Sequence, residues 1–283
     1  MSTHEQGLSN ADFNRLRHLV YEQSGINLTA EKKTMLEVRI RRRLRSLNLE
    51  SYAEYCEFLF AHRGKADELV QLIDVVTTNK TDFFREPSHF EYLTEKALPA
   101  LSERSRGGEP VLIWSAGCST GEEPYTLAMV LSEYGLSHPG FRFRVLATDI
   151  STAVLAKAKL GVYSCEVVRA VPPGLQRKYF MRSRNPDYGV LRVVPELRQA
   201  VDFRRLNLVD AGFGLTQKAD AIFFRNVMIY FDRATQKRIL QKLTQYLVPG
   251  GYTFVGHSET LHDMGLPLEP VAPALYRKTD VAS

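Results

Sequence analysis

Apolar residues up to about residue 76 recur at helical spacing, and strand-like alternation is weak there. Ser9 opens a capping box for a first helix, which ends at Gly25. Further helical patterns run over Tyr52–Phe60 and Ala66–Val76. A second helix is predicted from apolar residues three or four apart, which form one stripe: Leu36, Ile40, Leu44 and Leu47. This part of the chain is predicted to be all helical.

After residue 108, short apolar runs alternate with helical patterns, which predicts a parallel sheet covered on both faces. The predicted strands are Val111–Trp114, Phe143–Thr148, Ala221–Phe224 and Tyr252–Val255. The predicted helices between them are Pro124–Tyr134, Ala153–Leu160 and Arg233–Leu247. Residues 179–204 are instead turn-rich with strand-like alternation, and we expect a small antiparallel insertion there. The predicted fold class is therefore α/β with a helical amino-terminal domain.

Length and composition narrow the class of protein. The 283 residues exceed the usual range of about 100–200 per domain, so one large or two modest domains are expected. No apolar run approaches the roughly 20 residues of a membrane-spanning helix, and the amino terminus lacks the apolar core of a secretory signal. Three cysteines without CxxC spacing argue against a disulfide framework. A cytoplasmic protein without membrane insertion is expected.

The positive charge of the chain is concentrated in one segment. Lysines and arginines number 37 against 32 acidic residues, a net charge of +5. The segment 31–47 alone holds seven basic and two acidic residues, an excess equal to that of the whole chain. Five arginines surround the apolar stripe of its predicted helix: Arg39, Arg41, Arg42, Arg43 and Arg45. Such a face is either simply solvated or binds an acidic partner.

The loop after the first predicted strand, Trp114–Pro124, carries two glycines and two acids. In doubly wound folds, ligands bind where such loops leave the carboxyl ends of the strands. Dinucleotides place phosphates at the amino end of the next helix, but Glu122 and Glu123 occupy that end here, and no GxGxxG or GxxxxGK[ST] is present. A cationic ligand without phosphate fits better, and S-adenosylmethionine (SAM) is such a ligand. A plain turn with capping acids is the alternative.

Three further segments carry polar residues toward the same edge of the predicted sheet. Asp149 ends the second strand, where a carboxylate can accept both ribose hydroxyls or can cap the next helix. Arg225, Asn226 and Tyr230 follow a later strand, where they can face the methyl-bearing end of a cofactor or simply satisfy the loop. The junction 77–86 mixes polar residues with an aromatic pair, and we expect it to fold across the cofactor.

Taken together, these motifs resemble one known family, the bacterial chemotaxis receptor glutamate O-methyltransferases (CheR family). The matching stretches are TTNKTDFFREPSHF (77–90), WSAGCSTGEEPYTLAM (114–129), ATDIS (147–151), FFRNVMIYFD (223–232) and GHSE (256–259). The resemblance implies an all-helical domain at 1–76, a linker over the cofactor at 77–90, and a Rossmann-like class I SAM-dependent methyltransferase domain at 91–283. The insertion at about 179–204 would be a small antiparallel β-subdomain within that last domain.

The resemblance also implies a site. The residues expected to bind SAM, or its product S-adenosylhomocysteine, are Asn79, Thr81, Arg85, Glu123, Asp149, Asn207, Leu208, Arg225 and Asn226. Arg85 and Tyr230 are expected to lie nearest the transferred methyl group and to act as catalytic residues. The implied product is a glutamate γ-methyl ester. A carboxylate with a pKa of about 4.3 is already ionised at neutral pH, so the reaction requires no general base.

The implied protein partner is the cytoplasmic helical bundle of a chemoreceptor. The acidic helices of this bundle are expected to dock on the arginine-rich helix, which makes its five arginines candidate substrate-binding residues. In some family members the β-subdomain binds a peptide from the receptor's carboxyl terminus by adding a strand. The enzyme is expected to be a monomer.

Two other functions stay open when only the residues are considered. A nucleic-acid methyltransferase could place its arginines on phosphates, but no aromatic residues are interleaved with them and no [DN]PP[YF] tetrad follows the fourth strand. A SAM-sensing adaptor would bind the cofactor without turnover. The seven histidines show neither HxxxH nor HExxH spacing, so we expect no metal site. Since no aromatic residues accompany the arginines, we expect no nucleic-acid partner either.

Overall fold

The computed structural model describes residues 7–61, 66–77, 79–104, 109–183 and 185–279. Four helices build the amino-terminal domain: α1 (Asn10–Ser24), α2 (Lys33–Leu47), α3 (Tyr52–Ala61) and α4 (Ala66–Val76). The Oγ of Ser9 accepts the N–H of Asp12 at 3.0 Å, and Gly25 ends α1 in the left-handed conformation. Both predicted ends of this helix are therefore confirmed. None of the described helices is long and apolar enough to cross a bilayer.

The apolar stripe of α2 faces the core of the helical domain. Leu36, Ile40 and Leu44 are buried there, and Leu47 is half-buried against the same cluster. Burying such a side chain stabilises the fold by roughly 1.5–3 kcal/mol. The stripe therefore fixes which face of α2, and so which of its arginines, remains in contact with water.

The second part of the chain alternates helices and strands. Its helices are α5 (Ser88–Tyr92), α6 (Leu98–Arg104), α7 (Glu122–Ser137), α8 (Thr152–Leu160), α9 (Cys165–Val168), α10 (Pro173–Tyr179), α11 (Pro195–Ala200) and α12 (Arg233–Gln245). The strands are β1 (Val111–Ala116), β2 (Phe143–Asp149), β3 (Val162–Ser164), β4 (Phe180–Arg182), β5 (Val190–Val193), β6 (Val201–Arg205), β7 (Ala219–Phe224), β8 (Leu247–Val255), β9 (Leu268–Ala272) and β10 (Leu275–Lys278).

Seven of these strands form one twisted sheet in the order β6-β2-β1-β7-β8-β10-β9. The first five are parallel, whereas β10 is antiparallel to both of its neighbours. The central strands β1 and β7 are buried on both faces, which explains their continuous apolar sequences. Strand order reverses between β1 and β7, and ligands of open α/β sheets bind at the carboxyl ends of the strands at such a switch point.

The small sheet has the order β3-β5-β4, and all of its pairs are antiparallel. It differs at both ends from the insertion predicted at 179–204. It begins earlier, because β3 has only three residues, too few for an alternating pattern to be visible. It also ends earlier, because β6 pairs with β2 in the main sheet. β6 is an edge strand with one exposed side, so its alternation resembles that of an antiparallel strand.

Candidate active site

A cavity of about 1050 Å³, including its open mouth, lies at the switch point between β1 and β7. The amino-terminal domain supplies part of its wall through Ser24, Ile26 and Val76. All ten residues predicted to contact the cofactor or the methyl group line this cavity: Asn79, Thr81, Arg85, Glu123, Asp149, Asn207, Leu208, Arg225, Asn226 and Tyr230. Five chain segments that are far apart in sequence therefore meet at the edge of the sheet where the ligand was expected.

The loop after β1 is held against the ends of two neighbouring strands. Gly117 has a φ of +92°, and a Cβ there would lie 2.5 Å from a methyl group of Val227, so glycine allows the two loops to approach closely. Asp149 accepts the N–H of Ser119 at 2.8 Å and the N–H of Ser151 at 3.0 Å. Burial raises the pKa of Asp149, although these N–H donors favour its ionised form. Asp149 thus organises two loops and keeps acceptor capacity toward the cavity.

The two acids at the start of α7 have different environments. Glu122 is buried, accepts the hydroxyl of Thr120 at 2.7 Å and lies outside the cavity wall. Glu123 lines the cavity and accepts the hydroxyl of Ser115 at 2.7 Å. Burial raises the pKa of both carboxyls, and for Glu123 the charge of Arg225 opposes this effect without cancelling it. Only one of the two acids at this helix end, Glu123, therefore faces the cavity.

Arg225 is the buried cation of the site, with a side chain only 2% exposed. Its Nη1 lies 3.1 Å from Glu123 Oε2, and its Nη2 lies 3.0 Å from Glu86 Oε2. Nη2 also donates to the carbonyl of Arg85. A buried arginine needs such partners, because an unpaired charge in the interior is strongly unfavourable. The arrangement joins the linker to the carboxyl end of β7.

The turn after β7 is held by a buried acid that was not among the predicted site residues. Glu259, 7% exposed, accepts the backbone N–H groups of Asn226 (2.8 Å), Met228 (2.9 Å) and Gly256 (2.7 Å). Asn226 has a left-handed backbone with a φ of 58°, which is uncommon for a residue other than glycine. Glu259 therefore fixes the turn that carries Asn226 and presents Tyr230 to the cavity.

Tyr230 and Arg85 both line the cavity, and the charge of Arg85 acts on the Tyr230 phenol. Tyr230 sits in a single helical turn, Met228–Tyr230, and its carbonyl accepts the N–H of Asn27 at 2.8 Å. Burial raises the pKa of the Tyr230 phenol, against the opposing charges of Arg85 and Arg39. The phenol is therefore protonated at neutral pH and can donate a hydrogen bond. Arg85 Nη1 donates to the carbonyl of Lys80 at 3.2 Å, which leaves other N–H groups of the guanidinium to face the cavity.

The five arginines of α2 line no part of the cavity and fall into two groups. Arg39 Nη1 donates to the carbonyls of residues 75, 76 and 77 at 2.8–3.0 Å, at the end of α4. Arg43 forms a bidentate ion pair with the buried Glu68. Arg41, Arg42 and Arg45 are exposed. Two of the five arginines therefore hold α2 against α4 and three face solvent, and the docking role expected for the five stays a prediction.

Three residues beside Arg225 have side chains that could, by distance alone, hold a metal ion. The ligand atoms of Glu86, His89 and His257 lie within 4.8 Å of one another. Both carboxylate oxygens of Glu86 already accept hydrogen bonds, one from Arg225 and one from the N–H of His257. The guanidinium adds a positive charge where a cation would sit. The group therefore suits an ion pair better than a metal.

The buried side chain of His89 should make the stability of the fold depend on pH. Its ring is 1% exposed, neither nitrogen has a hydrogen-bond partner, and burial together with the charge of Arg225 lowers its pKa to about 4. An unfolded histidine has a pKa near 6.5, so the unfolded chain binds more protons between these two values. The free energy of unfolding should therefore fall by up to about 3 kcal/mol as the pH drops from 6.5 to 4. Urea titrations across this range should show a smaller fall for His89→Gln; equal falls would contradict the assignment.

The fold and the cavity together define a class of protein. A parallel sheet with one antiparallel strand near its edge, and a cavity at the switch point that is lined by Glu123 and Asp149 and lacks a phosphate-binding loop, indicate a class I SAM-dependent methyltransferase. Two family models match the chain: the CheR methyltransferase all-alpha domain at residues 11–77 and the CheR methyltransferase SAM binding domain at residues 79–272. The chain belongs to the CheR methyltransferase family, and the resemblance noted in its motifs is confirmed.

Curated relatives match over almost their full length. A chemotaxis protein methyltransferase of Borreliella burgdorferi is 41% identical over 94% of this chain and 94% of its own. The protein of the same name from Salmonella typhimurium is 41% identical over 93% of this chain and 88% of its own. The Escherichia coli protein is 43% identical over 91% of this chain and 87% of its own. The predicted fold class, the enzyme class and SAM as cofactor are thereby confirmed.

Proposed function

We propose that this enzyme transfers the methyl group of SAM to glutamate side chains of chemoreceptors and so forms the γ-methyl esters of sensory adaptation. The observation that carries the proposal is the convergence of all ten candidate residues on one cavity. The relatives' shared name, chemotaxis protein methyltransferase, supports the choice of acceptor. The acceptor glutamates lie in the receptor's cytoplasmic bundle, so the enzyme works in the cytoplasm.

The proposed mechanism relies on alignment of the reacting groups. SAM would supply a methyl group on a positively charged sulfur. An acceptor carboxylate oxygen would bond to the methyl carbon as the methyl–sulfur bond breaks, and S-adenosylhomocysteine would leave as a neutral thioether. Asp149 and Glu123 hold the cofactor through hydrogen bonds and charge, while Arg85 and Tyr230 orient the incoming carboxylate. No proton needs to leave the nucleophile, so the protein's contribution is to hold the atoms at near-attack distance. Strong pairing with Arg85 would weaken the carboxylate as a nucleophile, and a loose contact is expected.

Variants at the methyl-transfer end test these roles. A hydrogen bond to a charged group contributes about 1.5–3 kcal/mol, so Arg85→Ala and Tyr230→Phe should each lower kcat by about 10- to 100-fold at saturating SAM. Tyr92→Phe is the matched control, since its ring packs near Tyr252 away from the cavity. Unchanged turnover in both variants would overturn the assignment of Arg85 and Tyr230.

The exposed arginines of α2 are proposed to dock the acidic receptor bundle. They lie on the helix whose Arg39 bonds to the carbonyl of Thr77, a residue of the cavity wall, so α2 borders the site. The double variant Arg42→Glu/Arg45→Glu should raise the KM for a receptor fragment at least tenfold, leave the KM for SAM unchanged and flatten the salt dependence. Lys159→Glu/Lys237→Glu makes the same charge change elsewhere. Equal receptor KM values for the two double variants would refute docking on α2.

The small sheet is the proposed site for a receptor's carboxyl-terminal peptide. Its outer strands β3 and β4 carry the exposed apolar residues Val162 and Met181, which could pack against an added strand. Calorimetric titration with a synthetic receptor tail tests this: one peptide per protein supports it, and no heat change with any tail contradicts it.

We also propose that the enzyme is a monomer, which sedimentation analysis would check.

Methylation of a receptor fragment tests the proposed function as a whole. Labelled SAM should transfer radioactivity to the fragment, and mild alkali should release the label as methanol, because a carboxyl ester hydrolyses readily. Peptide mapping should place the ester on glutamates. Alkali-stable label on RNA would favour a nucleic-acid methyltransferase, and SAM binding without transfer would favour a sensing adaptor. Either result would overturn the proposal.

A further inference from the structure

We propose that Glu86 is a positioning residue for methyl transfer: it acts through Arg225 to hold the linker, and with it Arg85, over the cofactor cavity. This role of Glu86 concerns the assembly of the active site. It rests on the proposed function only because the kinetic test uses a receptor fragment as the methyl acceptor. Glu86 is not among the residues that line the cavity, and it was not among the predicted site residues. Its contacts nevertheless join three segments of the site.

One carboxylate oxygen of Glu86 faces the end of β7, and the other faces the end of β8. Oε2 accepts from Nη2 of Arg225 at 3.0 Å and from its Nε at 3.3 Å. Oε1 accepts the backbone N–H of His257 at 3.3 Å. The side chain is 14% exposed, so water weakens these contacts only partly. The linker is therefore tied at Glu86 to two strand ends.

The backbone around Glu86 adopts conformations that its residues rarely choose. Phe84 has a φ of 53° and Glu86 a φ of 56°, both in the left-handed region. Such residues cost of order 1–3 kcal/mol each and persist only where surrounding contacts enforce them. Phe84 donates its N–H to Thr126 at 3.2 Å, and Phe83 packs edge-on against Tyr163 at 5.0 Å. Glu86 supplies the contact at the other end of this segment.

The same arginine acts on the neighbouring residue. Nη2 of Arg225 donates to the carbonyl of Arg85 as well as to Glu86, so one guanidinium hydrogen-bonds to two successive residues of the linker. Arg85 itself, by contrast, lines the cavity. Loss of the Glu86 carboxylate would leave Arg225 with Glu123 as its ionic partner and would loosen the backbone that carries Arg85.

The charge of Glu86 is maintained by its surroundings. Burial alone would raise its pKa, but the charge and hydrogen bonds of Arg225, with the N–H of His257, outweigh this and hold the pKa below its usual value. The carboxyl is thus ionised across the neutral range. Glu86→Gln keeps the shape of the side chain and removes the charge, which makes it the sharpest substitution for the test.

Steady-state kinetics separate positioning from simple stability. Glu86→Gln should lower kcat by about tenfold or more, leave the KM for the receptor fragment within about twofold, and weaken S-adenosylhomocysteine binding in calorimetry. Glu86→Asp should recover part of the lost kcat because it restores the charge. Glu91→Gln, an exposed acid on the next helix, is the control and should match the wild type. If Glu86 only stabilised the fold, Glu86→Gln would lower the amount of folded enzyme, and the folded fraction would keep the wild-type kcat and cofactor affinity.

Limited proteolysis of the enzyme without cofactor tests the role of Glu86 without a methyl acceptor. The loosened linker of Glu86→Gln should be cut by trypsin after Lys80 faster than in the wild type, with cleavage sites mapped by mass spectrometry. If Glu86→Gln does not fold, Glu86→Asp should still show a smaller change in the same direction. Wild-type values of kcat, cofactor affinity and linker cleavage in a folded variant overturn the proposal. Failure of the receptor assay in the wild type, with these linker effects intact, would refute only the proposed acceptor.

Discussion

Asp149→Ala should bind S-adenosylhomocysteine about 100-fold more weakly than the wild type, because a hydrogen bond to a charged acceptor is worth roughly 1.5–3 kcal/mol and this carboxylate is proposed to accept more than one. The variant also frees the N–H groups of Ser119 and Ser151, so the loops after β1 and β2 lose their common anchor. Isothermal titration calorimetry of the purified variant measures the effect directly.

Two further variants make this result specific to the carboxylate. Asp149→Asn keeps one acceptor oxygen and should lose less affinity than the alanine variant. Asp187→Ala removes an exposed acid in the small sheet's hairpin and should leave affinity unchanged. If Asp149→Ala bound the product as tightly as the control, Asp149 would not be part of the cofactor site.

Arg225→Met should lower the free energy of unfolding by about 3–5 kcal/mol, since removing one partner of a buried ion pair leaves the other charge without compensation. Here two carboxylates lose their partner, Glu86 at 3.0 Å and Glu123 at 3.1 Å. Protonation of these acids in the variant relieves part of the cost, so the loss should shrink as the pH is lowered. Urea unfolding at pH 7 and at lower pH measures both effects.

A triple variant separates charge from packing. Glu86→Gln/Glu123→Gln/Arg225→Met removes the whole ionic group and should recover most of the stability lost by Arg225→Met, because neutral amides tolerate burial better than unpaired carboxylates. A loss below about 1 kcal/mol in the single variant, or a triple variant less stable than the single one, would show that this network does not hold the site together.

The spacing of apolar residues predicted those helices and strands whose buried face can be read from their own sequence. The stripe of α2 and the apolar runs of β1 and β7 are visible because one face, or both, must be buried. The small sheet was placed less well, because β3 is too short to show a period. The strand β6 has the pattern of an edge strand, which does not reveal whether its partner is parallel or antiparallel.

Sequence motifs located the cavity but not the contacts that assemble it. The ten predicted residues converge because loops at the carboxyl ends of parallel strands share one edge of the sheet. Glu86 and Glu259 were missed as functional residues, since the first contacts Arg225 across 139 positions and the second holds Asn226 across 33. The spacing of residues within a motif cannot reveal contacts between side chains that are so far apart in the sequence. The split among the arginines of α2 depends likewise on where α4 packs.

The most direct test of the account is the ligand preference of the cavity, measured by calorimetry on the wild-type enzyme with S-adenosylhomocysteine and with NAD. The carboxylates of Glu123 and Asp149 in the cavity wall and the lack of a phosphate-binding loop predict one molecule of S-adenosylhomocysteine bound per chain and no measurable binding of NAD. Binding of NAD with no response to S-adenosylhomocysteine would contradict the assignment of this cavity as the SAM site.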